Sequence, residues 1–306
     1  MNGTYYIYSG SELLAVSENV VTDEGREAIL RFLAGERNSL ADHMVFGIGE
    51  TAALQTDILL DFEYHRDDVD LKQANQAESQ LVIRGRIPDE KTFDIYEIGL
   101  MLDENTMDTE VPNNLITTFD SNDEATWRIY DGASFIEEGF EYVGGRTDGG
   151  GFHVDVPSNE TRSLVRDGSF GSFENLPSDD EFALAYDVLS GSATTIEVRF
   201  RLDESNYRSY SFTPGTGFNV QRWKKSDFVQ TGSAGWDEME SLEVVVTAGE
   251  LGADVLFDGL RYDAVSGDER AVLVSRTVLT TPVPKRSTSE VQIEYVLNVA
   301  FSVNGA

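Results

Sequence analysis

The sequence predicts a mainly β chain with a small α+β part. Three observations carry this reading. Apolar residues alternate with polar or small ones over long stretches, the period of half-buried strands. One segment near the start has the marks of a capped amphipathic helix. The composition shifts near residue 116 and again near residue 264, so that a compact α+β pattern begins, is interrupted, and resumes.

The helix comes first. Thr22 can cap it, and Asp23 and Glu24 fall in its first turn, where acids suit the dipole. Ala28, Ile29, Phe32 and Leu33 form one apolar face, and Gly35 ends it. A second, weaker helix is expected over Leu71–Ser79. Gly47 and Gly49 permit close backbone approach beside a strand, and Gly99 marks a bulge or tight packing. From Thr117 the chain becomes strand-rich, aromatic and glycine-rich, with a loop at Gly144–Gly151. Strands are expected at Phe182–Val188, Ile196–Leu202 and Tyr207–Phe212, with Arg199 and Arg201 on the face opposite Val198 and Phe200. After a polar turn at Ser266-Gly267-Asp268, a long alternating strand runs Val291–Val303. No repeat of 20–50 residues is visible.

Composition narrows the classes of function. The 306 residues suit about two domains, and 40% hydrophobic content excludes wholesale disorder. There is no cysteine, which excludes disulfides, zinc thiolates and cysteine nucleophiles. No apolar run approaches the roughly 18 residues of a membrane helix. Met1-Asn2-Gly3-Thr4-Tyr5 has no basic region, so a secretory signal is not expected. Asp and Glu total 55 against 23 Lys and Arg, a net charge of -32, which disfavours a phosphate backbone as partner. Only five of the basic residues are lysines: Lys72, Lys91, Lys224, Lys225 and Lys285. An acid-rich, lysine-poor yet patterned chain resembles proteins of salt-in halophiles, where a Debye length of about 3 Å at molar salt suppresses self-repulsion. His43, His65 and His153 are far apart and suggest no metal cluster. The lone G-x-G at Gly47–Gly49 lacks the remainder of a dinucleotide fingerprint, and no H-E-x-x-H, G-x-S-x-G or P-loop is present.

Two resemblances refine the picture. Asn19-Val20-Val21-Thr22-Asp23-Glu24-Gly25, Phe46-Gly47-Ile48-Gly49-Glu50 and Leu60-Asp61-Phe62-Glu63 come in order. Leu81–Pro88, Ile95–Met101 and, near the end, Pro284-Lys285-Arg286 follow. This order resembles minor structural proteins of tailed viruses, in tail fibres and baseplate attachments, here of a virus with a halophilic, haloarchaeal host. The segment between differs. Phe119-Asp120, Trp127, Trp223–Phe228, Gly235-Trp236-Asp237-Glu238-Met239 and Val255–Tyr262 resemble β-jelly-roll carbohydrate-binding modules. The two together imply a split α+β scaffold domain, residues 1–116 and 265–306, for virion anchoring and assembly. They imply an inserted β-sandwich (jelly roll) over residues 117–264.

The second resemblance also implies sites. Sugar platforms stack on exposed aromatics flanked by polar side chains, and Tyr207, Arg208, Tyr210, Arg222 and Trp223 are the candidate glycan-binding residues. Trp236, Arg199 and Arg201 are further candidates, against the alternative that Trp223 and Trp236 pack in the core. Tyr207 and Tyr210, three apart, fall on opposite faces of a strand, and Tyr207 is the better placed for solvent. Related modules join their first and last strands through calcium, and Asp120, Asp123, Glu124 and Asp258 are the matching positions. Calcium is the one cofactor implied.

The expected function is that of a virion structural protein, not an enzyme, in the tail or another external structure. It would attach to host surface glycan or glycoprotein and assemble with itself, as a trimer, and with other virion proteins. No nucleic acid and no membrane insertion are expected. A capsid turret or decoration protein, with the jelly roll as spacer, and a glycan-cleaving enzyme are the alternatives.

The charge balance carries a test of its own. The melting temperature should be higher at about 3 M than at about 0.1 M potassium chloride, because screening removes acid–acid repulsion. Thermal melts at the two concentrations check it; an equal or lower value at high salt contradicts the halophilic reading.

Overall fold

The computed structural model describes residues 2–103, 114–119, 127–132, 134–138, 142–147, 150–237, 239–265 and 271–298. The chain divides into two compact units, Met1–Thr109 with Gly267–Ala306, and Glu110–Ser266. The second therefore lies, in sequence, inside the first.

In chain order the first unit contributes β1 (Asn2–Ser9), β2 (Glu12–Glu18), β3 (Val20–Val21), α1 (Asp23–Leu33) and β4 (His43–Gly47). Next come β5 (Glu63–Asp68), β6 (Leu71–Asn75), β7 (Gln80–Ile87) and β8 (Phe93–Leu102). The second unit holds β9 (Leu115–Thr117), β10 (Trp127–Asp131), β11 (Ser134–Glu138), β12 (Tyr142–Val143), β13 (Gly151–Val156) and β14 (Thr161–Asp167). It continues with β15 (Glu181–Arg201), β16 (Tyr207–Phe212), β17 (Gly217–Lys224), β18 (Val229–Thr231) and β19 (Ser241–Asp263). The chain then returns to the first unit with β20 (Val272–Lys285) and β21 (Val291–Asn298).

The first unit is two antiparallel sheets, β2-β1-β21-β7-β6 and β3-β20-β8-β4-β5. Their inner faces meet: Tyr5 Oη lies 2.8 Å from Ser275 Oγ, and Gly85 leaves room for Met44. Helix α1 starts as its sequence dictates, with Thr22 Oγ1 accepting from the Gly25 amide at 2.9 Å and donating to the Leu273 carbonyl. Ala28 and Ile29 are buried, but Phe32 and Leu33 are 37% and 60% exposed. The apolar face is thus only one turn wide. The helix expected at Leu71–Ser79 is not formed: β6 and β7 make a hairpin there, with Ser79 at positive φ. Pairing with the apolar β7 overrides a weak local propensity. Gly99 serves close packing, where a Cβ would crowd Leu273, Val45 and Leu60, and a bulge in β20 at Val274 lies one residue from it in the β8–β20 ladder. The expected strand at Val291–Val303 is present over Val291–Asn298, and its last five residues lie outside the described residues.

A buried ion pair knits this unit. Glu97 on β8 and Arg276 on β20 are 0% and 2% exposed, with Arg276 Nη2 2.8 Å from Glu97 Oε2. The carboxylate also accepts from the amides of Gly49, Asp61 and Phe62 at 2.8–3.1 Å. Arg276 further donates to Asp57 and to the Thr51 carbonyl. A Cβ on Gly47 or Gly49 would fall 2.4 or 2.7 Å from Glu97 Oε1, so both glycines are required by the approach of loop to carboxylate. The G-x-G motif is a cradle for a protein carboxylate.

In the second unit, β15 and β19, 21 and 23 residues long, pair along their whole lengths and bend together. Phe182 and Phe200, at opposite ends of β15, have ring centroids only 5.6 Å apart. The ribbon is folded onto its own apolar face. One layer contains β17, the first half of β15, the second half of β19, and β13; the other runs β18-β16-β15-β19-β14-β10-β11. The result is a β-sandwich whose core joins Trp127, Phe152, Phe182, Phe200, Trp223 and Phe257. Register shifts between Val188 and Thr195 mark the bend. Gly191, at φ 73°, allows the contact there: a Cβ would fall 2.3 Å from the Gly252 carbonyl oxygen. The sequence treats Phe182–Val188 and Ile196–Leu202 as separate strands; they are two arms of one. Leu115 and Ile116, assigned by composition to the scaffold, lie on β9, which pairs with β19.

Two outcomes follow. Arg276→Ala leaves Glu97 buried and unpaired, a loss of about 3–5 kcal/mol. All three tryptophans lie in the second unit, so the first unit's melt, followed by circular dichroism, should fall while the tryptophan-detected transition holds.

His65 on β5 provides the second. It stacks on Phe46 and meets Phe93 edge-on, and its Nε2 makes no hydrogen bond among the described residues. Burial, then Lys91, lowers its pKa to about 4. Between pH 6.5 and about 4 the unfolded chain binds a proton there that the folded chain does not, so stability falls on acidification. The loss is at most about 3 kcal/mol over that window. His65→Leu should flatten that limb in urea melts at stepped pH.

Candidate functional site

Strand parity decides which side chains the sandwich shows to solvent. On the two arms of β15 the even residues Phe182–Val188 and Ile196–Phe200 point inward, so Glu197, Arg199 and Arg201 point outward from the second layer. Pairing across the sheet then sets three rows. One runs Tyr207–Arg201–Ser241–Asp167; the next Ser209–Arg199–Glu243–Val165–Arg128; the third Ser211–Glu197–Val245–Ser163–Tyr130–Phe135.

The middle of this face is a charge-balanced network. Arg199 bridges Glu197 at 2.6 Å and Glu243 at 3.1 Å, Arg201 reaches Glu243 at 3.3 Å, and Arg128 holds Asp167 at 2.7 Å. Burial works against the charge on Arg199, but the two carboxylates outweigh it and raise its pKa. Aromatic rings flank the network. Tyr207 stands over the Arg199 guanidinium, 5.1 Å from ring centroid, and Tyr130 meets the exposed Phe135 edge-on at 5.9 Å. Four strand spacings separate the two aromatic borders, about 19 Å. The face combines apolar ring surface, guanidinium donors, carboxylate acceptors and Ser hydroxyls, which is the chemistry a hydroxyl-rich ligand meets.

The five candidate glycan residues fall in three places. Tyr207 is on this open face. Tyr210 points the other way and stacks on Trp223, centroids 4.8 Å apart and planes at 6°. Trp223 is 3% exposed, so the candidate platform is core instead; it fills the sandwich between Phe182 and Phe228. Arg208 shares the inward parity, donates to the Ala234 carbonyl at 3.1 Å, and covers Trp236 together with Lys225. Trp236 is half-buried against the core. Arg222 is on the other layer, where it bridges Glu181 and the buried Asp263. Sequence reasoning missed Glu243, Tyr130 and Phe135. A single acid inside the apolar run Leu242–Val246, and the alternation from Trp127 to Asp131, were the available signals.

Of the calcium candidates, Asp120, Asp123 and Glu124 lie outside the described residues. Asp258 is 1% exposed, and burial pushes its carboxyl up. Its oxygens accept from the Arg146 amide at 3.0 Å, and from the Thr147 amide and hydroxyl at 3.3 and 3.1 Å. It pins the Gly144–Thr147 segment. Calcium takes six to eight oxygens, and the described residues do not by themselves supply such a set.

No protein-family model and no curated protein matches the chain. Among solved structures, the chain is similar to a family 11 carbohydrate-binding module of a cellulosomal cellulase of Clostridium thermocellum. That match has 14% identity, covers 50% of this chain and 95% of that one, and has a TM-score of 0.38. A module solved with β-1,4-galactotriose matches at 13% identity, 51% and 98% coverage and a TM-score of 0.28. An exo-β-agarase matches at 10% identity, 55% and 25% coverage and a TM-score of 0.30. At such scores and identities, the ligand of this chain has to be argued from its own residues.

Proposed function

We propose that the second unit is a glycan-binding β-sandwich and that its outer face at Tyr207 is the binding surface. The observation that carries this is Tyr207 over Arg199, with Glu243 beside it in the adjoining row: a partly exposed ring next to preorganised ionic hydrogen-bonding groups. The face is charge-balanced within a chain of net charge -32, so a neutral glycan meets no local repulsion. Binding, not cleavage, is the role this arrangement supports, because Glu197 and Glu243 are both engaged by Arg199 as ion-pair partners. Of the other buried acids, Glu97, Asp180 and Asp258 accept from loop amides, and Asp263 is held by Arg222 and Arg261.

Within the same proposal, the first unit anchors the chain in a tailed virion of a halophilic host, in its tail, and the sandwich touches host surface glycan. The order of scaffold motifs supports this reading. Three of them converge on one buried site: Gly47 and Gly49, Asp61 and Phe62, and Glu97 are all members of the Arg276 network. Self-assembly, with a trimer as the expected form, and calcium at Asp258 with Asp120, Asp123 and Glu124 belong to the proposal too.

The test is titration of the full chain in high salt with host surface glycoprotein, native and deglycosylated, with and without EDTA. Binding should require the glycan. A single ring stack is worth about 0.5–1.5 kcal/mol, so Tyr207→Ala should weaken binding about threefold to tenfold, while Trp223→Phe should act on stability first. EDTA should lower both affinity and melting temperature if calcium is held. Equal binding to both glycoprotein forms removes the glycan reading and leaves the sandwich as a spacer.

A further inference from the structure

The outer face of the sheet β2-β1-β21-β7-β6 in the first unit carries a groove that the scaffold role does not use. One part, about 670 Å³, is lined by Tyr8, Asp70, Arg84, Arg86, Gln292 and Glu294 among others. A second, about 620 Å³, continues past Gln73, Gln80 and Val296 and shares Arg84 and Glu294 with the first. Each volume is in the range of small-ligand sites. The floor from Glu290 to Val296 spans about 20 Å at strand rise. The hairpin turn at Gly10 and Ser11 borders one end.

Strand register arranges three chemically distinct stripes across this groove. Tyr8 is opposite Gln292, and Gln292 opposite Arg86; Tyr6 is opposite Glu294, and Glu294 opposite Arg84. On one side stand Tyr6 and Tyr8, two residues apart on one face of β1, both part-exposed. No ring contact or hydrogen bond engages either side chain among the described residues. Leu13 and Val16 of β2, 49% and 52% exposed, extend that apolar side. The floor is amide and carboxylate. The far side is guanidinium: Arg84 is held by Glu294 at 2.7 Å, and Arg86 lies 3.6 Å from both Asp70 and Glu290.

We infer that this groove is a second binding site, for a neutral oligosaccharide. A pyranose offers an apolar ring face and an edge of hydroxyls, and the groove offers a tyrosine side and an ionic, amide-bearing side. Anionic ligands are disfavoured, because Asp70, Glu290 and Glu294 outnumber Arg84 and Arg86. The inference is independent of the reading of the second unit.

The experiment is calorimetric titration of the full chain in high salt with cellotetraose, laminaritetraose, maltotetraose and mannotetraose, and with tetragalacturonate as the anionic probe. At least one neutral tetramer should bind. Tyr8→Ala and Arg86→Ala should each weaken that binding about threefold or more, the scale of one ring stack or charged hydrogen bond, with melting temperatures unchanged. Tyr207→Ala should leave it intact. Four results overturn the inference: no neutral probe binds; neither groove variant weakens binding; tetragalacturonate binds more tightly than every neutral tetramer; or Tyr207→Ala alone abolishes the heat, which assigns it to the second unit. A fifth, a Tyr8→Ala chain whose sedimentation changes without sugar, shows that a second copy occupies the groove and overturns it equally.

Discussion

A straight strand of 21 residues would reach about 70 Å, far longer than any core of this size could cover. On β15 the large apolar side chains nevertheless take one parity on both arms, Phe182–Val188 and Ile196–Phe200. A ribbon apolar on one face along such a length has to bury that face against itself. Beta15 and β19 do this together, bending where Gly191 meets Gly252 and where β19 carries extra residues between Ala248 and Ala253. The two arms then become the centres of the two layers, and the shorter strands pair outward from them. The aromatic core of the second unit, with Phe182 and Phe200 facing each other, follows from this fold-back.

The first unit depends on an electrostatic device. A carboxylate and a guanidinium withdrawn from water are costly unless every lone pair and N–H is engaged. Glu97 meets this with three backbone amides and Arg276; Arg276 meets it with Glu97, Asp57 and the Thr51 carbonyl. The partners come from the loop between β4 and β5 and from strands β8 and β20, separated by up to 225 residues. The pair thus fixes where the returning segment of the chain docks after the long excursion through the second unit. Lys285 repeats the idea on a smaller scale, fully buried with its ammonium on the carbonyls of Asp89, Lys91 and Arg286.

Charge is distributed unevenly for a chain so acidic. The scarce arginines are concentrated at specific places: Arg276 in the buried pair, Arg199 and Arg201 on the open sandwich face, Arg222 and Arg261 around Asp263, Arg84 and Arg86 in the groove. At each, an arginine holds one or more acids in a fixed geometry. Arginine suits such work because its planar fork engages two acceptors at once. Most of the remaining acids line solvent, with Asp180 and Asp258 buried on backbone amides; acid and arginine are interleaved on both the open sandwich face and the groove.

Local chemistry made much of this legible in advance. Thr22 caps α1 because its hydroxyl needs only the next turn, and alternation locates strands because side-chain direction depends only on neighbours. Parity alone separates Tyr207 from Tyr210. Other features need the folded chain. Nothing local distinguishes a fully buried Trp223 from an exposed one; the stacking of Tyr210 and Phe182 on it decides. Nothing local joins Val188 to Ile196 as one bent strand, since the bend is stabilised by β19, some 60 residues away. The weak helix at Leu71–Ser79 gives way because the sheet offers β6 a partner that a lone helix cannot match. Glu97, Gly49 and Arg276 were visible as letters, but their common site exists only after three distant segments meet. Sequence by itself determined most of the elements, the alternation of their faces and the class of fold, because those rest on interactions within a few residues. The tertiary structure decided which faces are covered and which charges are paired, because burial and desolvation are properties of the assembled layers and of no segment alone.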